Sequence, residues 1–179
     1  MSDTALLVVD MLNGYRHEDA ELLAPNVAEI IDPLVGLISV ARERNDVNLI
    51  YVNDNHGDFT ADRDDIVRSA LDGEHPELVE PIAPDEGELF LEKVRHSAFY
   101  STPLAYLLRQ LEAERLILTG QVTEQCILYT ALDAYIRHFT VMVPPDAVAH
   151  IAPELGHAAL QMMERNMRAE IVPAEKCLG

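Results

Sequence analysis

The sequence predicts a doubly wound α/β fold: a mostly parallel sheet flanked by helices on both faces, in three Rossmann-like layers. Three observations predict it. Short apolar runs rich in β-formers alternate with longer segments of helical period along the chain. The short runs are almost continuously hydrophobic, as in Ala5-Leu-Leu-Val-Val9, which suits strands covered on both faces. The 179 residues show no composition break, so one domain, 1–179, is expected, with a core that needs no disulfide or metal.

The elements follow in order. Residues 5–9 form the first strand. Pro25 opens a helix that carries Val27, Ile30, Ile31, Leu34, Leu37, Ile38 and Ala41 on one side, with Pro33 kinking or restarting it. The second strand covers 48–52. The stretch 54–87 holds Gly57, Gly73, Pro76, Pro81 and Pro84, and reads as one helix near 62–71 within a lid or partner surface. Residues 88–91 are the third strand. Thr102-Pro103 is a cap followed by proline at the first helical position, and Leu104, Leu107, Leu108 and Leu111 then make an apolar stripe. The fourth strand, 115–118, turns into a helix that starts near Cys126, and 139–143 is the fifth strand. A helix after Pro153 should turn Leu155, Ala158, Ala159, Met162 and Met163 inward, before a last strand at 170–172.

The net charge of −18 repels phosphate backbones and anionic surfaces, so neither nucleic acid nor membrane is an expected partner. No apolar run reads as a membrane span. The opening residues lack the basic start and apolar stretch of a secretory leader, which makes a cytoplasmic location the expectation. Cys126 and Cys177 are far apart with no C-x-x-C pairing, in keeping with a reducing compartment. No G-x-G-x-x-G fingerprint occurs, and no cofactor is expected.

In this fold, ligands bind beyond the carboxyl ends of the strands. That rule selects Asp10, Asp54 and His56, Lys93, and the turn from Gly120 to Cys126. A thiol where a strand turns into a helix is placed like a nucleophile, its thiolate favoured by unpaired N–H groups. Asp10 could take the thiol proton, and Lys93 could hold that carboxylate ionised. Lysine occurs only at 93 and 176, against eleven arginines, which sharpens Lys93. Each residue also has a plain structural reading: Cys126 as a small core residue, Asp10 as a turn cap, Lys93 as a solvated charge. Cys177 reads as incidental.

Three segments resemble the isochorismatase-like cysteine hydrolase family: Ala5-Leu-Leu-Val-Val-Asp-Met-Leu-Asn13, Leu91-Glu-Lys-Val-Arg-His-Ser-Ala-Phe99 with Ser101-Thr-Pro-Leu104, and Leu118-Thr-Gly-Gln-Val-Thr-Glu-Gln-Cys126. They lie in the right order at the right strand ends. The resemblance implies the sheet derived above, a catalytic Asp10, Lys93 and Cys126, and a non-proline cis peptide at Val122-Thr123 that aims the Val122 and Cys126 N–H groups at an oxyanion. It also implies a homo-oligomer. Nicotinamidases of the family share a metal site of one Asp and several His after the second strand. Asp54-Asn-His56 matches only its beginning, so no metal is expected. The family's usual Gln after the first-strand Asp-x is Leu12 here, while Asn13 is retained.

The vinyl-ether hydrolases of the family generally lack the cysteine, so Cys126 points to hydrolysis of a small amide or carbamoyl substrate through a thioester. Asn13, His56 and Phe99, beside the motifs, are candidates for the pocket wall. The alternatives are an isochorismatase-type vinyl-ether hydrolase with Asp10 as proton donor, and a catalytically silent domain that binds a metabolite or partner.

Overall fold

The computed structural model describes residues 4–179. Its strands are β1 (Thr4–Val9), β2 (Val47–Asp54), β3 (Leu89–Lys93), β4 (Arg115–Gln121), β5 (Thr140–Val143), β6 (Val148–Ala149) and β7 (Glu170–Ile171). They form one sheet in the order β3-β2-β1-β4-β5-β7, with β6 beside the end of β4 and every pairing parallel. The first three strands run outward from β1, and the chain then returns to its other side as β4. The order reverses there, which opens a crevice between the ends of β1 and β4.

The helices are α1 (Ala20–Glu43), α2 (Arg63–Leu71), α3 (Pro76–Val79), α4 (Leu104–Gln110), α5 (Leu128–Ile136), α6 (Pro153–Met167) and α7 (Ala174–Cys177). Alternation along β1 sends Leu6 and Val8 to one face, against Leu23, Val27, Leu34 and Ile38 of α1. Ala5, Leu7 and Val9 face the other way, against Leu104 and Leu108 of α4, Ala131 of α5 and Met163 of α6. Both faces of the sheet are therefore dry, and each fully buried Leu, Ile or Val adds about 1.5–3 kcal/mol.

Several expectations need correction. α1 starts at Ala20, ahead of Pro25, and continues through Pro33. Each proline forgoes one backbone bond, but Ala20, Leu23 and Ala24 extend the same buried stripe and offset that loss. At 24 residues, α1 is also long and apolar enough, by length and composition alone, to cross a membrane, contrary to the expectation that no apolar run approaches that length. In the fold its apolar stripe packs on the sheet.

The segment after β2 is not an open lid. Asp62 and Asp65 close a capping box on α2, Leu78, Val79 and Ile82 are buried, and the Tyr51 hydroxyl donates to the Ile82 carbonyl at 3.0 Å. Pro103 lies one position earlier than expected, capping α4 rather than opening it.

On α6, Leu155, Ala158 and Met162 are exposed, and the buried positions are Gly156, Ala159, Met163 and Met167. The helix is rotated because it approaches His150 closely: a Cβ on Gly156 would come within 2.6 Å of the His150 Cβ. Only a residue without a side chain can take that face. The two-residue β6 had no sequence signal of its own.

Candidate active site

β1 ends at Val9, and Asp10 turns the chain away with φ +54°, a left-handed conformation that Asp tolerates better than most residues. Its N–H donates to the Val52 carbonyl at 3.0 Å, and its own carbonyl accepts from Gln121 Nε2 at 2.7 Å. Asp10 is thereby fixed to both neighbouring strands. The Asp54 N–H donates to Asp10 Oδ1 at 2.8 Å, which orients the carboxylate.

Lys93 is the last residue of β3 and sits in register with Asp54. Its side chain is fully buried, with Nζ 2.9 Å from Asp10 Oδ2, 3.4 Å from Asp54 Oδ2 and 3.7 Å from Cys126 Sγ. A buried ammonium persists only where anions surround it, and here two carboxylates do so. The solvated reading of Lys93 is excluded.

Cys126 lies in a π-turn, Thr123–Ile127, that joins β4 to α5; Gln125 and Ile127 both donate to the Val122 carbonyl, at 3.0 and 3.2 Å. The approach of this turn to β1 depends on Gly120, whose φ is +108° and whose Cβ, if present, would lie 2.1 Å from the Val9 carbonyl oxygen. Glu124 Oε1 accepts from the Ile151 and Ala152 N–H groups at 3.0 and 2.9 Å, tying the turn to the start of α6. The cis peptide is Gln121–Val122, one residue earlier than the expected Val122–Thr123, because β4 runs through Gln121 before the chain leaves the sheet. Thr123 is buried behind the turn, while Val122 faces the cavity.

The surroundings raise the pKa of all three groups of the cluster. Burial raises the Asp10 carboxyl above its ordinary value, opposed chiefly by the Lys93 charge. For Lys93, burial pulls downward but is outweighed by Asp10, Cys126 and Asp54, so the ammonium is held protonated. Burial, with the adjacent Asp10 carboxylate, pushes the Cys126 thiol up to about 12. The sequence expectation of a favoured thiolate is therefore corrected: in the free protein, burial outweighs the turn's N–H groups and Cys126 is a thiol.

A cavity of about 470 Å³ opens over these groups, lined among others by Asp10, Asn13, His56, Arg95, Val122 and Cys126. Asn13 accepts from the Tyr15 N–H at 2.8 Å, and His56 Nε2 lies 3.2 Å from the Leu12 carbonyl. Phe99 is not a wall residue. It is buried beneath the site, its ring 6.0 Å from that of Phe139 and covered by the Arg137 guanidinium at 4.9 Å, because Thr130 of α5 draws the neighbouring Ala98 N–H inward.

The donors after β2 do not fit a metal site. Asp54 Oδ1 accepts from the His56 N–H, Oδ2 faces Lys93, and no group of three or more His, Cys, Asp or Glu stands within metal-binding reach among the described residues. Sequence reasoning placed Asp54 among the strand-end positions and weighed it as a metal ligand, but missed its contact with Lys93. It gave no role to Gln121 and Glu124 within the selected turn, because their partners come from distant segments and left no local signal.

Residues 4–176 match the Isochorismatase domain. The chain belongs to the Isochorismatase family. It is 36% identical over 177 residues to the uncharacterized isochorismatase family protein YaaI of Bacillus subtilis, covering 99% of this chain and 97% of that one. The maleamate amidohydrolase of Pseudomonas putida is 29% identical to this protein over 152 residues, covering 80% of this chain and 71% of that one. Among solved structures, the N-carbamoylsarcosine amidase of Thermoplasma acidophilum superposes with a TM-score of 0.77, at 27% identity and with both chains fully covered. The three-layer fold of this chain is isochorismatase-like.

Proposed function

We propose that this protein is a cysteine hydrolase that cleaves the carbon–nitrogen bond of a small amide or carbamoyl compound. The observation that carries this reading is the contact of one buried ammonium, Lys93 Nζ, with both the Asp10 carboxylate and the Cys126 thiol at the floor of a cavity. The names of the maleamate amidohydrolase and the N-carbamoylsarcosine amidase support it, since both relatives act on such bonds.

Asp10 accepts the Cys126 proton as sulfur attacks the substrate carbonyl, so the thiolate exists only during the reaction. Lys93 makes this possible by keeping a buried carboxylate ionised. The carbonyl oxygen, now negative, rests on the Val122 and Cys126 N–H groups. The Val122 amide already faces the sulfur, where it opposes part of the rise in the thiol pKa. Protonated Asp10 then gives its proton to the departing nitrogen, which leaves as ammonia or an amine, and the acyl group stays on sulfur as a thioester. Asp10 next removes a proton from water, hydroxide adds to the thioester, and the acid leaves as the thiol is restored.

The test is ammonia release from a panel of small primary amides, ureas and carbamoyl amino acids. Release by the wild-type protein and none by Cys126→Ala is the expected result. Turnover of isochorismate by both proteins, with no ammonia from any member of the panel, would replace this reading with vinyl-ether hydrolysis.

A further inference from the structure

The large apolar side chains left on the surface are gathered on one side of the molecule. Twelve are exposed among the described residues, and eight of them belong to the layer of α4, α5 and α6 or to the segment that enters α4. Four of the six tyrosines are in that group, Tyr100, Tyr106, Tyr129 and Tyr135, whereas Tyr15 and Tyr51 are buried in the layer of α1. Over its 24 residues, α1 exposes only two large apolar side chains, Leu22 and Val40.

The centre of the patch is α5. Thr130, Ala131 and Ala134 are its buried side, and helical period puts Tyr129, Leu132, Tyr135 and Ile136 together on the outer one. A helix that faces water normally carries charged residues there. The single charged residue of α5 is Asp133, already engaged by Ser97 Oγ at 2.6 Å and by Arg137. The patch extends beyond the helix. The His96 ring lies edge-on to Tyr129 at 5.4 Å and the Ala98 N–H donates to Thr130, so the segment leading to Tyr100 runs along α5. α6, with Leu155 and Met162 exposed, packs against α5 as well.

Area and charge together identify what covers this face. Eight side chains at 39–62% exposure offer roughly 800 Å², one partner's share of a standard stable interface and more than a monomer usually leaves in one apolar patch. Tyrosine and methionine are also the residue types enriched at such contacts, and acids are the depleted ones. Two copies that each carry a net charge of −18 repel one another wherever acidic surfaces meet. On α5 the only carboxylate is paired, so this face can approach its own copy without that penalty. A twofold axis across it sets the uncharged stripe against itself, as an isologous contact requires.

We infer that the outer face of α5 is the contact of a twofold dimer, with a second copy of this chain as its occupant. The contact borders the cavity, because His96 lines that cavity and rests on Tyr129. Nothing in it depends on which bond the site cleaves.

The experiment is sedimentation of the full chain at micromolar concentration, where the wild-type protein should run as a dimer. Leu132→Glu with Ile136→Glu places carboxylates in the middle of the contact and should raise the dimer Kd about 100-fold or more, with an unchanged circular dichroism spectrum. Phe59→Glu, at an exposed apolar side chain outside this layer, should leave the dimer intact. Hydroxyl-radical footprinting of the wild-type protein needs no variant: Tyr135 and Ile136 should be protected at dimer concentration and labelled on dilution, while Phe59 is labelled at both. A wild-type protein that stays monomeric overturns the assignment and leaves the face to a different protein. A dimer that survives in the folded double variant, or one that gives α5 no concentration-dependent protection, overturns it too.

Discussion

The two cysteines occupy surroundings that look alike by burial and differ in everything else. Cys126 is 8% exposed and Cys177 4% exposed, and burial raises both thiols, to about 12 and about 11. Around Cys177 on α7 stand apolar side chains of the α1 face and the carbonyls of Val172 and Pro173, 3.8 and 3.6 Å from its sulfur. Around Cys126 stand a carboxylate, an ammonium and an open cavity. Neither burial nor a raised pKa marks a nucleophile; what distinguishes one is a neighbour able to take its proton and a space for the carbonyl it attacks.

The sharpest way to break this comparison is to remove each sulfur in turn. Cys126→Ala should abolish amide turnover, while Cys177→Ala should keep it and lose only about 1 kcal/mol of stability for the buried atom removed. Residual turnover in Cys126→Ala, or its loss in Cys177→Ala, would reverse the assignment.

Asp10→Asn tests the proton acceptor, since it keeps the shape of the side chain and removes the base. Turnover should fall about 10²- to 10⁴-fold, the usual worth of general acid–base help. It also takes one anion from the buried Lys93, a loss of up to about 3 kcal/mol, at the lower end for a broken buried pair because Asp54 remains. A folded Asp10→Asn protein, verified by circular dichroism, that keeps ordinary turnover would exclude Asp10 from the chemistry.

Lys93→Met sharpens the comparison through pH. Burial already raises the Asp10 carboxyl and Lys93 opposes the rise. Without the ammonium the pKa climbs further, so less carboxylate is present at neutral pH. Turnover should therefore drop at pH 7 and recover in part as pH increases, and a pH–rate profile with the wild-type shape would show that Lys93 does not tune Asp10.

The smallest difference is in alkylation. Both thiols are protonated near neutrality, so iodoacetamide should react slowly with each and faster as pH rises. Cys126 should be labelled first, by peptide mapping, because the cavity reaches it. Equal labelling would mean that access does not separate the two sites.

Much of the fold was legible because its signals are local. The runs around Leu7, Ile50, Leu118 and Met142 are short, apolar and bounded by polar turns, and each became a strand within about three residues of its expected limits. The buried stripe from Val27 to Ala41 follows helical period and needs no knowledge of the rest of the chain. Asp10, Lys93 and Cys126 could be named because strand ends are where this fold places ligands, and because they stand in motifs that resemble one family.

Tertiary structure decided whatever depends on two distant segments meeting. The order β3-β2-β1-β4 brings residues 10, 54, 93 and 126 together, and only then does Asp54 become a second anchor for Lys93 rather than a candidate metal ligand. α1 runs through two prolines because the sheet beneath it offers enough apolar surface to offset the missing bonds. α6 turns Gly156 inward because His150 leaves no room for a side chain there. The same holds for charge: sequence position favours a thiolate at Cys126, but the degree of burial is set by the whole fold, and in the free protein burial keeps the proton on sulfur. Periodicity and motif are written along the chain, whereas desolvation and cross-strand pairing are properties of the packed molecule, which no single segment contains.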